Sequence, residues 1–247
     1  MSSFLKQRAI GRFITGGRDM QFDFFLWPML VPLFIPLFYA IKYKKNAVID
    51  VTMIIFITIL IVLLYWPMTI GLLSSSNIIV KFLLFVIFPL IVLYAYWRSN
   101  NKNDFPFERI GITNKDIEKS LKLGFLFIPL MLLVTFIAKY MIGGTSDPYF
   151  SLGVISFVES FTEEFFFRGI LFLYLASKTN LKIAYITSLL SFILMHPQNI
   201  TNPFIISTIV QGILTLEICR RSRNLIGAWA LHGTNRFFSI VLLPLFL

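Results

Sequence analysis

Charge is scarce in this chain of 247 residues. Only 14% are Asp, Glu, Lys or Arg, where a soluble domain carries about a quarter. Cysteine is scarcer still. Cys219 stands alone, which excludes an intrachain disulfide and a cysteine metal cluster. Histidine occurs twice, at His196 and His232. No polar stretch is long enough to form a soluble domain, and no segment repeats. Lys6, Arg8, Arg12 and Arg18 are spread through the first twenty residues with no apolar run among them, so this arm does not read as a cleavable signal.

Apolar sequence fills the rest: 57% of residues are hydrophobic and 17% aromatic, with a mean hydropathy of +0.80. A membrane span needs about twenty largely apolar residues. On that measure the candidate spans are 22–41, 51–73, 77–97, 121–142, 150–175, 181–196, 203–219 and 224–246. The expected fold is all-α, a polytopic transmembrane helix bundle of about eight spans. Residues 1–120 would hold the N-terminal spans and a surface helix, and residues 121–247 a membrane domain carrying the chemistry. Pro28, Pro32 and Pro36 predict a bent first helix, and Ser74-Ser75-Ser76 a tight hairpin between spans two and three. Asn100 to Asp104 reads as a loop. Thr113 and Asp116 suit a capping box, opening a surface helix that leads into the fourth span.

The net charge is +10, but no nucleic-acid motif accompanies it, and no nucleic-acid partner is expected. Most Lys and Arg lie between apolar segments, where lipid headgroups and the orientation rule account for them. Lys42, Lys44, Lys45, Arg98, Lys178 and Arg220 follow spans one, three, five and seven, so those loops are expected on the cytoplasmic side. The basic N-terminal arm is the exception, since eight spans would put it outside. Membrane lipid is one expected partner, and a multi-pass place in a bacterial plasma membrane is the expected location.

Against this apolar background the ionisable residues of the C-terminal half stand out. Each costs about 2.5–3.5 kcal/mol at the centre of a membrane helix, and such residues are rarely there without a role. Glu164 and Arg168 are four apart on one helix face, an ion-pair spacing. Glu163 points about 100° away and is expected to lack that partner, leaving it free for chemistry. Glu159 lies one turn earlier on the face of Glu163, and repulsion plus burial should raise the pKa of one of the two, as suits a general base. Phe192 precedes His196 by one turn, and Pro197 favours a helix stop there. His232 and Asn235 share a face and could offer two neutral donors to an oxyanion, although a plain interhelical polar contact would use the same pair.

The strings Glu-Glu-Phe-Phe-Phe-Arg-Gly at 163–169, Phe192 to His196, and His232 followed by Asn235, in that order on separate membrane helices, resemble the CPBP intramembrane proteases. That family includes CAAX prenyl endopeptidases and bacterial bacteriocin-processing and immunity proteins. The third motif departs from the pattern: Asn or Asp is expected four residues after the histidine, where this chain has Arg236. The resemblance implies an intramembrane endopeptidase acting on a membrane-associated peptide or protein. Glu163 and His196 would activate water, His232 and Asn235 would stabilise the oxyanion, and Glu164 and Arg168 would orient them, with Glu159 in support. No cofactor is favoured. Zinc held by Glu163, His196 and His232 is the alternative, since three such ligands with an open fourth position form a catalytic zinc site. A non-catalytic scaffold or bacteriocin-immunity protein of the same fold is the second reading. A transporter with a Glu159–Glu163 proton relay is the third, weakened by the lack of a repeat.

Overall fold

The computed structural model describes residues 24–69, 74–100, 105–143 and 147–247. The basic arm, the start of the first expected span and the loop from Asn101 to Asp104 lie outside them. The described residues form helices and no strand, as expected where every backbone polar group must be satisfied within its own segment.

The first pass is a 3₁₀ helix over Phe24–Leu33, containing Pro28 and Pro32, that continues as α1 over Phe34–Tyr43. The prolines deprive the ladder of N–H donors, which is the expected departure from a straight helix. α2 (Val48–Thr69) returns. α3 (Ser74–Phe82) leads through a π turn into α4 (Phe88–Asn100). Ser74 to Ser76 thus belong to the first turn of α3, and the turn before them lies outside the described residues.

α5 spans Ile117–Ile142 without interruption, so the expected surface helix and fourth span are one element. The expected capping box does not form. Asp116 sits at φ 55, in the left-handed region, and Thr113 Oγ1 accepts instead from the Lys115 N–H at 3.1 Å. Asn224 fixes that turn by donating to the Thr113 and Lys115 carbonyls at 2.8 and 3.1 Å.

Among the described residues, four helices are long and apolar enough to cross a membrane: Leu26–Tyr43, Lys45–Tyr65, Asn77–Asn100 and Ile117–Ile142. Eight were expected. The other four segments are shorter or carry the charges of the site. They are α6 (Phe150–Glu164) with its continuation, α7 (Leu181–Leu194), α8 (Phe204–Ser222) and α9 (Ile226–Phe237). Large apolar side chains such as Phe38, Phe56, Leu63, Phe125, Leu126 and Leu133 are more than half exposed. A solvated domain would not leave such a belt uncovered. The chain is an integral membrane protein.

Helix α9 packs deeply against α5, α6 and α8. Its approach to α5 needs two facing glycines. A Cβ at Gly124 would stand 2.7 Å from the Gly227 carbonyl oxygen, and one at Gly227 would collide with the Ser120 carbonyl. Small residues at such crossings let helix backbones approach closely in lipid. Trp229 Nε1 donates to the Phe157 carbonyl at 3.0 Å, locking α9 to α6.

Candidate active site

Immediately after Glu164 the α6 helix widens into a π-helix over Phe165–Tyr174, and all ten residues of that segment are buried. π segments occur often at functional sites. The ion pair expected from α-helical spacing survives the widening: Arg168 Nε lies 3.1 Å from Glu164 Oε2, with both side chains fully buried. Arg168 also donates through Nε to Thr215 Oγ1 at 2.8 Å and stands 4.2 Å from the Phe192 ring centre. Glu164 does more than neutralise Arg168, because its Oε1 accepts from His232 Nδ1 at 2.7 Å.

His196 does not lie within α7, which ends at Leu194. It caps a one-turn helix over Pro197–Ile200, so proline stops the helix where expected. Its Nδ1 faces the Phe192 carbonyl at 2.9 Å. A carbonyl only accepts, and so does a carboxylate. Each histidine therefore carries its proton on Nδ1 and, when neutral, presents a bare Nε2 lone pair. Both nitrogens lie near one atom: Glu163 Oε2 is 3.7 Å from His196 Nε2 and 3.9 Å from His232 Nε2. That oxygen is buried and makes no hydrogen bond within the protein. The Phe192 ring packs on both imidazoles, with centre distances of 5.0 and 6.1 Å.

The expectation that Glu163 lacks a partner is corrected. Its other oxygen, Oε1, lies 3.2 Å from Lys81 Nζ and 3.0 Å from Arg236 Nη1. Lys81 and Arg236 also bridge to Glu159, Arg236 at 3.4 Å. The expected repulsion between Glu159 and Glu163 assumed two carboxylates facing each other, whereas two cations stand between them.

Asn235 is close to His232 in sequence, but its amide is engaged elsewhere. Oδ1 accepts from Thr135 at 2.7 Å, and Nδ2 donates to Gln211 Oε1 at 2.8 Å. Arg236, one residue on, enters the site instead.

Two cavities meet here. One, of about 240 Å³, is lined by His196, His232, Asn235 and Arg236 among others. The second, of about 200 Å³, is lined by Glu163, Lys81, His196 and Arg236 among others. His196, Arg236 and Gln198 border both.

Glu163, Glu164, Arg168, His196 and His232 thus stand together in the fold. Residues 145–238 match the family model described as Type II CAAX prenyl endopeptidase Rce1-like. This part of the chain is similar to that family. Comparison with curated proteins and with solved structures gave no match. The family segment contains Glu159, Glu163, Glu164, Arg168, His196, His232 and Asn235. Lys81 lies outside it, on α3, and sequence reasoning missed it. The available signal was a lone cation within an apolar run, which calls for a buried counter-charge. Arg236 was visible only as a mismatch at a motif position.

Proposed function

We propose that this protein is an intramembrane endopeptidase that cleaves a membrane-associated peptide or protein by glutamate-activated water. The observation that carries this reading is the shared aim of Glu163 Oε2, His196 Nε2 and His232 Nε2 at one buried point. Three acceptors facing each other call for a molecule that donates, and a water supplies two O–H groups.

In this mechanism Glu163 Oε2 takes one proton from that water while His196 Nε2 accepts its second hydrogen bond. The oxygen attacks the peptide carbonyl, and Glu163 passes the proton to the departing amine. The carbonyl oxygen, negative in the tetrahedral intermediate, meets Arg236. Arg236 makes two of its five possible donations to Glu163 and Glu159, leaving three N–H groups. Preorganised donors of this kind are worth about 10²–10³ in rate. His232, held through Nδ1 by Glu164, borders the same buried point. Glu164 and Arg168 hold His232 in place, Glu159 holds Lys81 and Arg236, and Asn235 ties the helix that presents His232 and Arg236 to α5 and α8.

We propose that the reaction runs without a metal. Glu163, His196 and His232 are zinc-type ligands, but Lys81 and Arg236 already face the Glu163 carboxylate, and a dication would add to two resident positive charges. The test is cleavage of a quenched peptide library by detergent-purified protein. Glu163→Gln should lower cleavage by about 10²–10⁴-fold, with wild-type cleavage indifferent to a chelator. Loss of activity with chelator and its return with zinc would reverse the metal assignment. Undiminished cleavage by Glu163→Gln would end the catalytic reading and favour a non-catalytic scaffold of the same fold.

A further inference from the structure

The four basic loops gather at one end of the bundle. Lys44 Nζ donates to the Thr179 carbonyl at 2.5 Å, joining the loop after α1 to the loop before α7. Lys178 pairs with Asp50 at 2.7 Å. Both Lys178 and Arg109 lie over the Trp97 ring, at 5.9 and 5.0 Å, which brings in the end of α4. The Leu225 N–H donates to the Gly111 carbonyl at 3.2 Å, adding the turn after α8, which follows Arg220, Arg221 and Arg223. Most of the 22 Lys and Arg of the chain sit in or beside these loops.

The cavities open at the other end. The first is bordered by Lys139 near the end of α5, by Asn199 and by Phe204 at the start of α8. Lys139 Nζ lies 5.2 Å from the Phe204 ring centre, and the Tyr149 N–H meets the Ile240 carbonyl at 3.4 Å. The second is bordered by Tyr65 late in α2, Lys81 in α3, and Pro197 and Gln198 in the turn after α7. Every element at this rim is the far end of a helix whose other end meets a basic loop. Lys6, Arg8, Arg12 and Arg18 precede in sequence the first helix, which starts near this rim, and the Lys and Arg of the four loops outnumber them.

Lys and Arg concentrate on the cytoplasmic side of short membrane loops. We infer that the cavities holding Glu163, His196 and Arg236 open on the extracytoplasmic face, so that the substrate is a peptide segment presented from outside: an exported peptide or the outward part of a membrane protein. The substrate half of this inference rests on the endopeptidase reading, while the sidedness rests on the fold alone.

Labelling with a membrane-impermeant maleimide in intact bacterial cells tests it without any assay of activity. Cys219 is the sole cysteine and is buried, so Cys219→Ala gives a silent background. Gln198→Cys and Asp147→Cys, both exposed at the rim, are expected to label in intact cells. Lys45→Cys and Arg223→Cys, exposed at the basic end, are expected to label only after the membrane is opened. The reverse pattern would overturn the inference, as would labelling at both ends in intact cells or silence of all four until permeabilisation. If labelling follows the expected pattern but Glu163→Gln cleaves as well as wild type, the substrate assignment falls and the sidedness stands.

Discussion

The two oxygens of Glu163 have different neighbours, and the proposed chemistry rests on that division. Oε1 is held by Lys81 and Arg236, while Oε2 faces two imidazole lone pairs and nothing that donates. A carboxylate fixed by one oxygen keeps the other aimed, which general-base catalysis needs. Arg236 is the residue whose removal separates this account from one in which it merely balances charge. Arg236→Gln should lower kcat by about 10²–10³ with little change in KM. A companion variant, Glu159→Gln with Arg236→Gln, removes one charge of each sign and should show the same kcat loss in a folded protein. If the double variant regains wild-type kcat, Arg236 is a counter-charge and not an oxyanion donor. Thr215 offers a positioning test, because its hydroxyl accepts from the buried Arg168. Thr215→Val should lower kcat while Thr215→Ser retains it, as measured on any peptide the wild type cleaves.

Among the helices, the contact of α5 with α9 sets where His232 and Arg236 stand. It is made by backbone against backbone at Gly124 and Gly227, with Ser120 Oγ accepting from the Gly227 N–H at 3.0 Å. Gly227→Ala inserts a methyl group where a carbonyl already lies. Overpacking of this kind costs about 1–3 kcal/mol, so its thermal unfolding in detergent should fall below wild type and activity should fall with it, since α9 must shift. A Gly227→Ala protein with wild-type melting temperature and rate would show that the crossing tolerates a wider spacing. At α6 the sequence placed Glu164 and Arg168 on one face, and they meet there. The π-helix that follows was not legible, because helix width depends on the packing around Phe165–Tyr174 and not on the residues alone.

For the molecule as a whole, the apolar belt and the four long apolar helices require lipid. The protein should therefore remain in the membrane pellet through an alkaline carbonate wash and leave it only with detergent. Release by carbonate alone would refute an integral bundle. Eight spans were expected, and among the described residues four helices qualify on length and composition. The others have a physical reason to differ: they are divided into shorter helices, as at the turn before Pro197, or carry the charges of the site.

The sequence by itself determined the membrane setting, the helical class, the pairing of Glu164 with Arg168 and the stop at Pro197, because hydropathy, helix periodicity and proline stereochemistry are local properties. It also marked Glu163, His196 and His232, whose placement in apolar runs is costly enough to signal a role. Only the tertiary structure decided who meets whom. Lys81, 82 residues before Glu163, became its partner, Arg236 came inward while the Asn235 amide turned to Thr135 and Gln211, and the basic loops collected at the end away from the cavities. Contacts between distant segments depend on how whole helices pack, and no spacing along the chain encodes that.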